Sequence, residues 1–129
     1  MSGKTVTRPD ERAYTKTSRY QESLESNPDI IIIVLGTKDI TAKGIETEEG
    51  KNTFRDDYTL LIQDYLNCGS NPKIMLVSPL SSVDENNNHD NRNAIKERIQ
   101  IPLIESLANK YGLIYLDGHF ILQLGQELI

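Results

Sequence analysis

Asp29-Ile30-Ile31-Ile32-Ile33-Val34-Leu35-Gly36-Thr37-Lys38-Asp39 decides how the rest of this 129-residue chain is read. Six unbroken aliphatic residues stop at a glycine and a polar cluster, the pattern of a buried strand emptying into a site. A strand apolar on both faces belongs in the middle of a parallel sheet covered by helices on each side. Ligands of such sheets bind outside the carboxyl ends of the strands. Thr37, Lys38 and Asp39 therefore stand where chemistry is expected.

Upstream of that ribbon, Asp10 to Asn27 is polar, with Tyr14, Tyr20 and Leu24 as sparse anchors. Tyr20 and Leu24 share one helical face, so a helix is expected from Thr17 to Ser26, stopping before Pro28. Downstream, Thr41 to Lys51 reads as a polar loop containing Gly44 and Gly50. Phe54, Tyr58, Leu61, Ile62 and Tyr65 then recur at helical spacing, with Asn52 or Thr53 as the cap and Gly69 as the stop.

Pro72 introduces Lys73-Ile74-Met75-Leu76-Val77-Ser78-Pro79, a second strand that ends in small polar residues. Ser81 to Asn91 is a polar loop. From Arg92 to Tyr111, positions Ile95, Ile99, Leu103, Leu107 and Tyr111 repeat every four residues, with Ile104 and Ala108 beside them. They predict an amphipathic helix closed by Gly112 and kinked or divided at Pro102. Leu113 to Asp117 is a third strand, and His119 to Ile129 a short closing helix. Strand, helix, strand, helix, strand predicts a parallel α/β layer with right-handed crossovers.

Composition narrows the function. A net charge of -5 and an isoelectric point near 5.0 oppose a nucleic-acid or anionic-membrane footprint, which requires clustered Lys and Arg. The longest apolar run is too short to cross a bilayer. Met1 to Pro9 lacks the apolar core of a secretory signal, so a cytoplasmic location is expected, or export if a longer precursor exists. Cys68 is the single cysteine, which excludes an internal disulfide; it reads as a small half-buried residue at a helix end. Asp84, Asn86, Asn88 and Asp90 imitate the opening of a calcium loop. His89 occupies the position that needs glycine and Ile95 the position that needs a bidentate Glu. Neither a metal nor another cofactor is expected.

With those elements placed, the chain resembles the SGNH hydrolases, the GDSL-type esterase and lipase family, in its sialate O-acetylesterase-like branch. Ser2-Gly3-Lys4-Thr5-Val6 is similar to the family's second block, and Asn27-Pro28-Asp29 through Gly36-Thr37-Lys38-Asp39 to its third. The likeness continues through Phe54, Asp57-Tyr58, Leu61-Ile62, Pro72-Lys73-Ile74, Ser78-Pro79, Ile101-Pro102 and Tyr111-Gly112-Leu113 into Leu116-Asp117. It implies a single domain: a flavodoxin-like three-layer α/β/α sandwich with a parallel sheet, its first strand or strands missing and both ends incomplete. The implied substrates are carboxylic or acetyl esters of carbohydrates or lipids.

The resemblance also implies four catalytic positions. The nucleophilic serine of a Gly-Asp-Ser block has no counterpart in these residues. The glycine whose N–H helps hold the oxyanion corresponds to Gly3. Lys38 stands where the family has the asparagine that donates to the same oxyanion, and lysine is a flexible, hydrated point charge rather than a fixed planar amide. The closing Asp and His would lie beyond Ile129. Asp117-Gly118-His119 is one residue short of that Asp-x-x-His spacing, so His119 reads as a surface or capping histidine first and a catalytic one second. Ser2, Ser78 and Ser81 have no general base within sequence reach.

Gly3, Gly36, Lys38 and Asp39 thus remain as oxyanion-hole or binding candidates, with Asp117 and His119 behind them. Acyl transfer requires a hydroxyl deprotonated by a neighbouring imidazole, so this chain is expected to be inactive. The competing expectation is a non-catalytic carbohydrate- or anion-binding module, or an assembly module. In the family's sheet the ribbon lies beside the serine strand. Without that neighbour, Ile30 to Leu35 becomes an uncharged edge, and self-association through it is expected.

Overall fold

A computed structural model describes residues 4–9, 13–36, 39, 46–80 and 93–118. After a single turn of 3-10 helix, Tyr14–Lys16, helix α1 spans Ser18–Glu25. The Thr17 hydroxyl accepts from Tyr20 N at 3.3 Å and caps α1. Asn27, at φ 53°, turns the chain toward Pro28 and into strand β1, Ile30–Ile33.

Helix α2 runs Glu48–Leu66 and so begins earlier than the Asn52 or Thr53 cap that the apolar spacing suggests. Thr47 is the cap: its hydroxyl accepts from Gly50 N at 3.0 Å, while Glu48 and Glu49 lie in the first turn. Acidic side chains there complement the helix dipole, which extends the helix through a polar stretch that buries nothing. Residues 46–51, expected in a loop, are thereby a turn, a cap and the first helical turn.

Strand β2 is Lys73–Val77. Residues 93–95 are α-helical, Lys96–Gln100 form a π-helical stretch, and α3 continues over Ile101–Tyr111. The expected division at Pro102 takes the form of a change in helix type, with the backbone still helical at Gln100 (φ -77°, ψ -45°). Proline lacks an N–H and is tolerated only where the preceding turn does not need that donor. Gly112 closes α3 in the left-handed region at φ 65°, and Leu113 N donates to Ala108 O at 2.8 Å. Strand β3, Ile114–Leu116, follows.

The three strands form a parallel sheet in the order β1-β2-β3, with Ile31 beside Ile74 and Met75 beside Ile114. Both crossovers step in the same direction across the sheet, so right-handedness puts α2 and α3 on the same face. Ile33, Ile74 and Leu76 pack there against Phe54, Tyr58, Leu61, Ile62, Ile104, Leu107 and Ala108.

That geometry corrects one expectation. Among the described residues the aliphatic ribbon is an edge rather than a central strand covered on each side, and Ile30 and Ile32 are 64% and 60% exposed. Val34, Ile114 and Leu116 are exposed as well. Among the described residues no crossover steps the other way. The architecture is α/β, a small parallel sheet with α2 and α3 on one face among the described residues.

Candidate functional site

The carboxyl ends of β1, β2 and β3 open onto one rim. Gly36 follows β1, Ser78 and Pro79 follow β2, and Asp117 follows β3. A loop from the amino-terminal segment and the π-helical stretch close the rim.

Gly36 has φ 126°, a conformation open to glycine and strained for other residues. Its freedom is needed for a second reason: a Cβ there would meet Pro79 Cγ at 3.0 Å, with Phe54 and Gln100 at 3.6 Å. The Gly36 carbonyl accepts from Asp39 N at 3.1 Å, which holds Asp39 close to the end of β1, and from Gln100 Nε2 at 2.7 Å.

Asp39 itself points inward. Its carboxylate is fully buried and accepts from Val6 N at 3.0 and 3.1 Å, Thr7 N at 2.9 Å and Thr7 Oγ1 at 2.8 Å. A buried carboxylate is tolerable when hydrogen-bond donors replace its water, and backbone N–H groups are among the strongest available. Asp39 therefore fastens the amino-terminal loop to the end of β1. Next to it, the Tyr58 hydroxyl is fully buried with no hydrogen-bond partner among the described residues. Burial, and then the Asp39 charge, push its pKa well above the usual tyrosine value.

On the other side of the rim, the buried Ser78 donates to Asp117 Oδ1 at 3.3 Å, and its backbone N donates to Leu116 O at 3.1 Å. Burial raises the pKa of the nearby Tyr115, with Ser78 opposing and Asp117 reinforcing the shift.

Sequence reasoning missed Lys96 and Gln100. Both are fully buried, Lys96 Nζ donating to Leu80 O at 2.7 Å and Gln100 Nε2 to Gly36 O. The four-residue apolar stripe puts Ile95, Ile99 and Leu103 inward. In the structure Lys96, Ile99, Gln100 and Ile104 are the buried positions, and Ile95 and Leu103 are only half-buried. A π-helical stretch carries more residues per turn and so rotates the stripe; such stretches occur often at functional sites. The nearest signal in the sequence is the Lys96–Gln100 pair at i, i+4, one residue off the apolar stripe and shortly before Pro102.

Of the candidates from sequence, Gly36, Asp39 and Asp117 are brought to one rim. Gly3, Lys38 and His119 lie outside the described residues, as do Ser2, Ser81, the calcium-like run from Asp84 to Asp90 and the expected closing helix. Among the described residues no three His, Cys, Asp or Glu side chains cluster as a metal site, and no helix is long and apolar enough to cross a membrane. Compared with known proteins, the chain matches no family model and no curated protein.

Proposed function

We propose that this chain is an SGNH-hydrolase-like α/β domain of the three-layer type that performs no ester hydrolysis with the residues it carries. One observation supports the kinship most. Three sequence segments that resemble separate family blocks meet in space. Val6, from the Ser2–Val6 segment, donates to Asp39, from the Gly36–Asp39 segment, and Gly36 lies against Pro79 of the Ser78-Pro79 pair. Segments more than thirty residues apart in sequence converge on the carboxyl rim of a parallel sheet, where α/β domains place their ligands.

The chemistry of the rim supports the loss of activity. An acyl transfer step needs a serine or equivalent nucleophile within hydrogen-bond reach of a base. Among the described residues at the rim, the Thr7 hydroxyl donates to Asp39 and that of Ser78 to Asp117, and Ser78 is fully buried. Both partners are carboxylates that orient a hydroxyl without supplying an imidazole. The ligand class that fits the resemblance is an ester or acetylated derivative of a carbohydrate or lipid, held without turnover.

Hydrolysis of a short-chain acyl ester by the purified chain tests the proposal. The expected rate is that of the buffer, unchanged by Lys38→Ala or Ser78→Ala. Saturable turnover that either substitution abolishes would overturn it.

A further inference from the structure

Among the described residues β1 has one open edge. The Asp29 carbonyl accepts from Lys73 N at 2.9 Å and thus faces β2. Backbone groups alternate sides along a strand, so Asp29, Ile31 and Ile33 turn theirs to β2, and Ile30 and Ile32 turn theirs to the open edge, with Val34 continuing the series. No described residue pairs with that edge.

Natural edges are blunted by charge, proline or a bulge. From Ile30 to Leu35 this one has no charged residue and no proline. Beside it runs a groove of about 250 Å³ lined by Tyr14, Ser23, Leu61 and Tyr65 together with the strand.

We infer that the occupant is a second copy of this chain, joined antiparallel through β1 about a two-fold axis normal to the sheet. Such an axis keeps each face of the sheet on its own side, so residues opposite one another must share a face. It therefore centres the pairing on a residue rather than between two. Centring on Ile32 places Ile30 opposite Val34 and Ile31 opposite Ile33. Every outward N–H and C=O of these residues then finds a partner. Centring one residue earlier brings Pro28, which has no N–H, opposite Val34; centring one later brings the sharply turned Gly36 opposite Ile30.

In the Ile32 register, Ile31 and Ile33 of the second copy lie on the helix-covered side and enter the groove beside Tyr14 and Tyr65. Ile30, Ile32 and Val34 of both copies join into one apolar stripe on the other side. Asp29 falls opposite Leu35, so no like charges meet. The two sheets become one of six strands.

Sedimentation velocity of the 129-residue chain over a dilution series from tens of micromolar tests the inference. The expected species at high concentration has twice the 14.6 kDa monomer mass. Ile32→Lys places a charge at a side chain already 60% exposed, so the fold survives; it is expected to yield a monomer with an unchanged circular dichroism spectrum. Ile114→Lys, on the same exposed face but in β3 at the opposite edge of the sheet, is expected to remain dimeric. In a Cys68→Ser background, Ile32→Cys on the axis is expected to oxidise to a linked dimer, because opposed hydrogen-bonded residues lie about 5.5 Å apart between Cα atoms. A wild-type chain monomeric throughout would overturn the inference, and would mean that the chain covers its own edge. A dimer that survives Ile32→Lys, or dissociates with Ile114→Lys alone, would overturn it in favour of face-to-face stacking or pairing through β3.

Discussion

The carboxylate of Asp39 accepts the backbone N–H groups of both Val6 and Thr7, and so ties the amino-terminal loop to the segment after β1. Removing it strands these two backbone donors and the Thr7 hydroxyl, and a buried N–H left without a partner costs about 1–3 kcal/mol. Asp39→Ala is expected to destabilise the chain by roughly 3 kcal/mol and Asp39→Asn by less, since the amide oxygen still accepts. Urea denaturation at neutral pH measures both. Equal losses would show that the donors find other partners.

Gly36 and Gly112 both have positive φ and predict different penalties. At Gly112 a Cβ meets nothing within 4 Å, so Gly112→Ala incurs only the left-handed backbone strain, about 1 kcal/mol. At Gly36 the backbone is further from any region open to alanine, and Pro79 Cγ lies 3.0 Å from the new methyl. Gly36→Ala is expected to cost at least twice as much, roughly 2–4 kcal/mol. Thermal or urea unfolding of the pair gives the comparison.

Alkaline pH is expected to unfold this chain. Burial raises the pKa of Tyr20, Tyr58 and Tyr65 above the tyrosine value of about 10. The hydrogen bond and charge of Asp64 add to the shift at Tyr20, and the Asp39 charge adds to it at Tyr58. The folded state then holds protons that the unfolded state releases. Their contribution is complete below about pH 10 and is lost as the pH rises from there toward the folded values. Absorbance of tyrosinate and circular dichroism, followed together, should show these residues ionising with the loss of structure rather than before it.

Tyr58→Phe removes a buried hydroxyl that has no partner among the described residues. The ring contacts survive, including the edge-to-face packing on Phe54 at 5.8 Å between centroids. Deleting an unsatisfied polar group is expected to leave stability unchanged or raise it by up to about 1 kcal/mol, and to shift alkaline unfolding upward. A loss above about 1 kcal/mol would mean the hydroxyl is bonded in solution.

Ile32 and Ile33 are neighbours of identical chemistry with opposite fates. Ile33 is 5% exposed and packs in the core, so Ile33→Ala is expected to cost about 2–5 kcal/mol. Ile32→Ala, measured at submicromolar protein where the monomer prevails, is expected to cost under about 1 kcal/mol.

Residue order alone determined most of the layout. Apolar spacing located α1, most of α2, the helix from residue 93 onward and all three strands, because the periods of helix and strand are local properties of the backbone. The glycines that end β1 and α3, Gly36 and Gly112, were legible for the same reason. Pieces of the rim were also visible, since Gly36, Asp39 and Asp117 each follow a strand.

Packing decided the rest. No local pattern tells Ile32 from Ile33, or says that both crossovers step the same way and leave one sheet face uncovered. Nor does one reveal that a π-helical stretch turns Lys96 and Gln100 inward, or that Asp39 reaches back to Val6 and Thr7. Each of these depends on which distant segment arrives beside it, and a side chain's burial is set by that neighbour rather than by its own place in the chain.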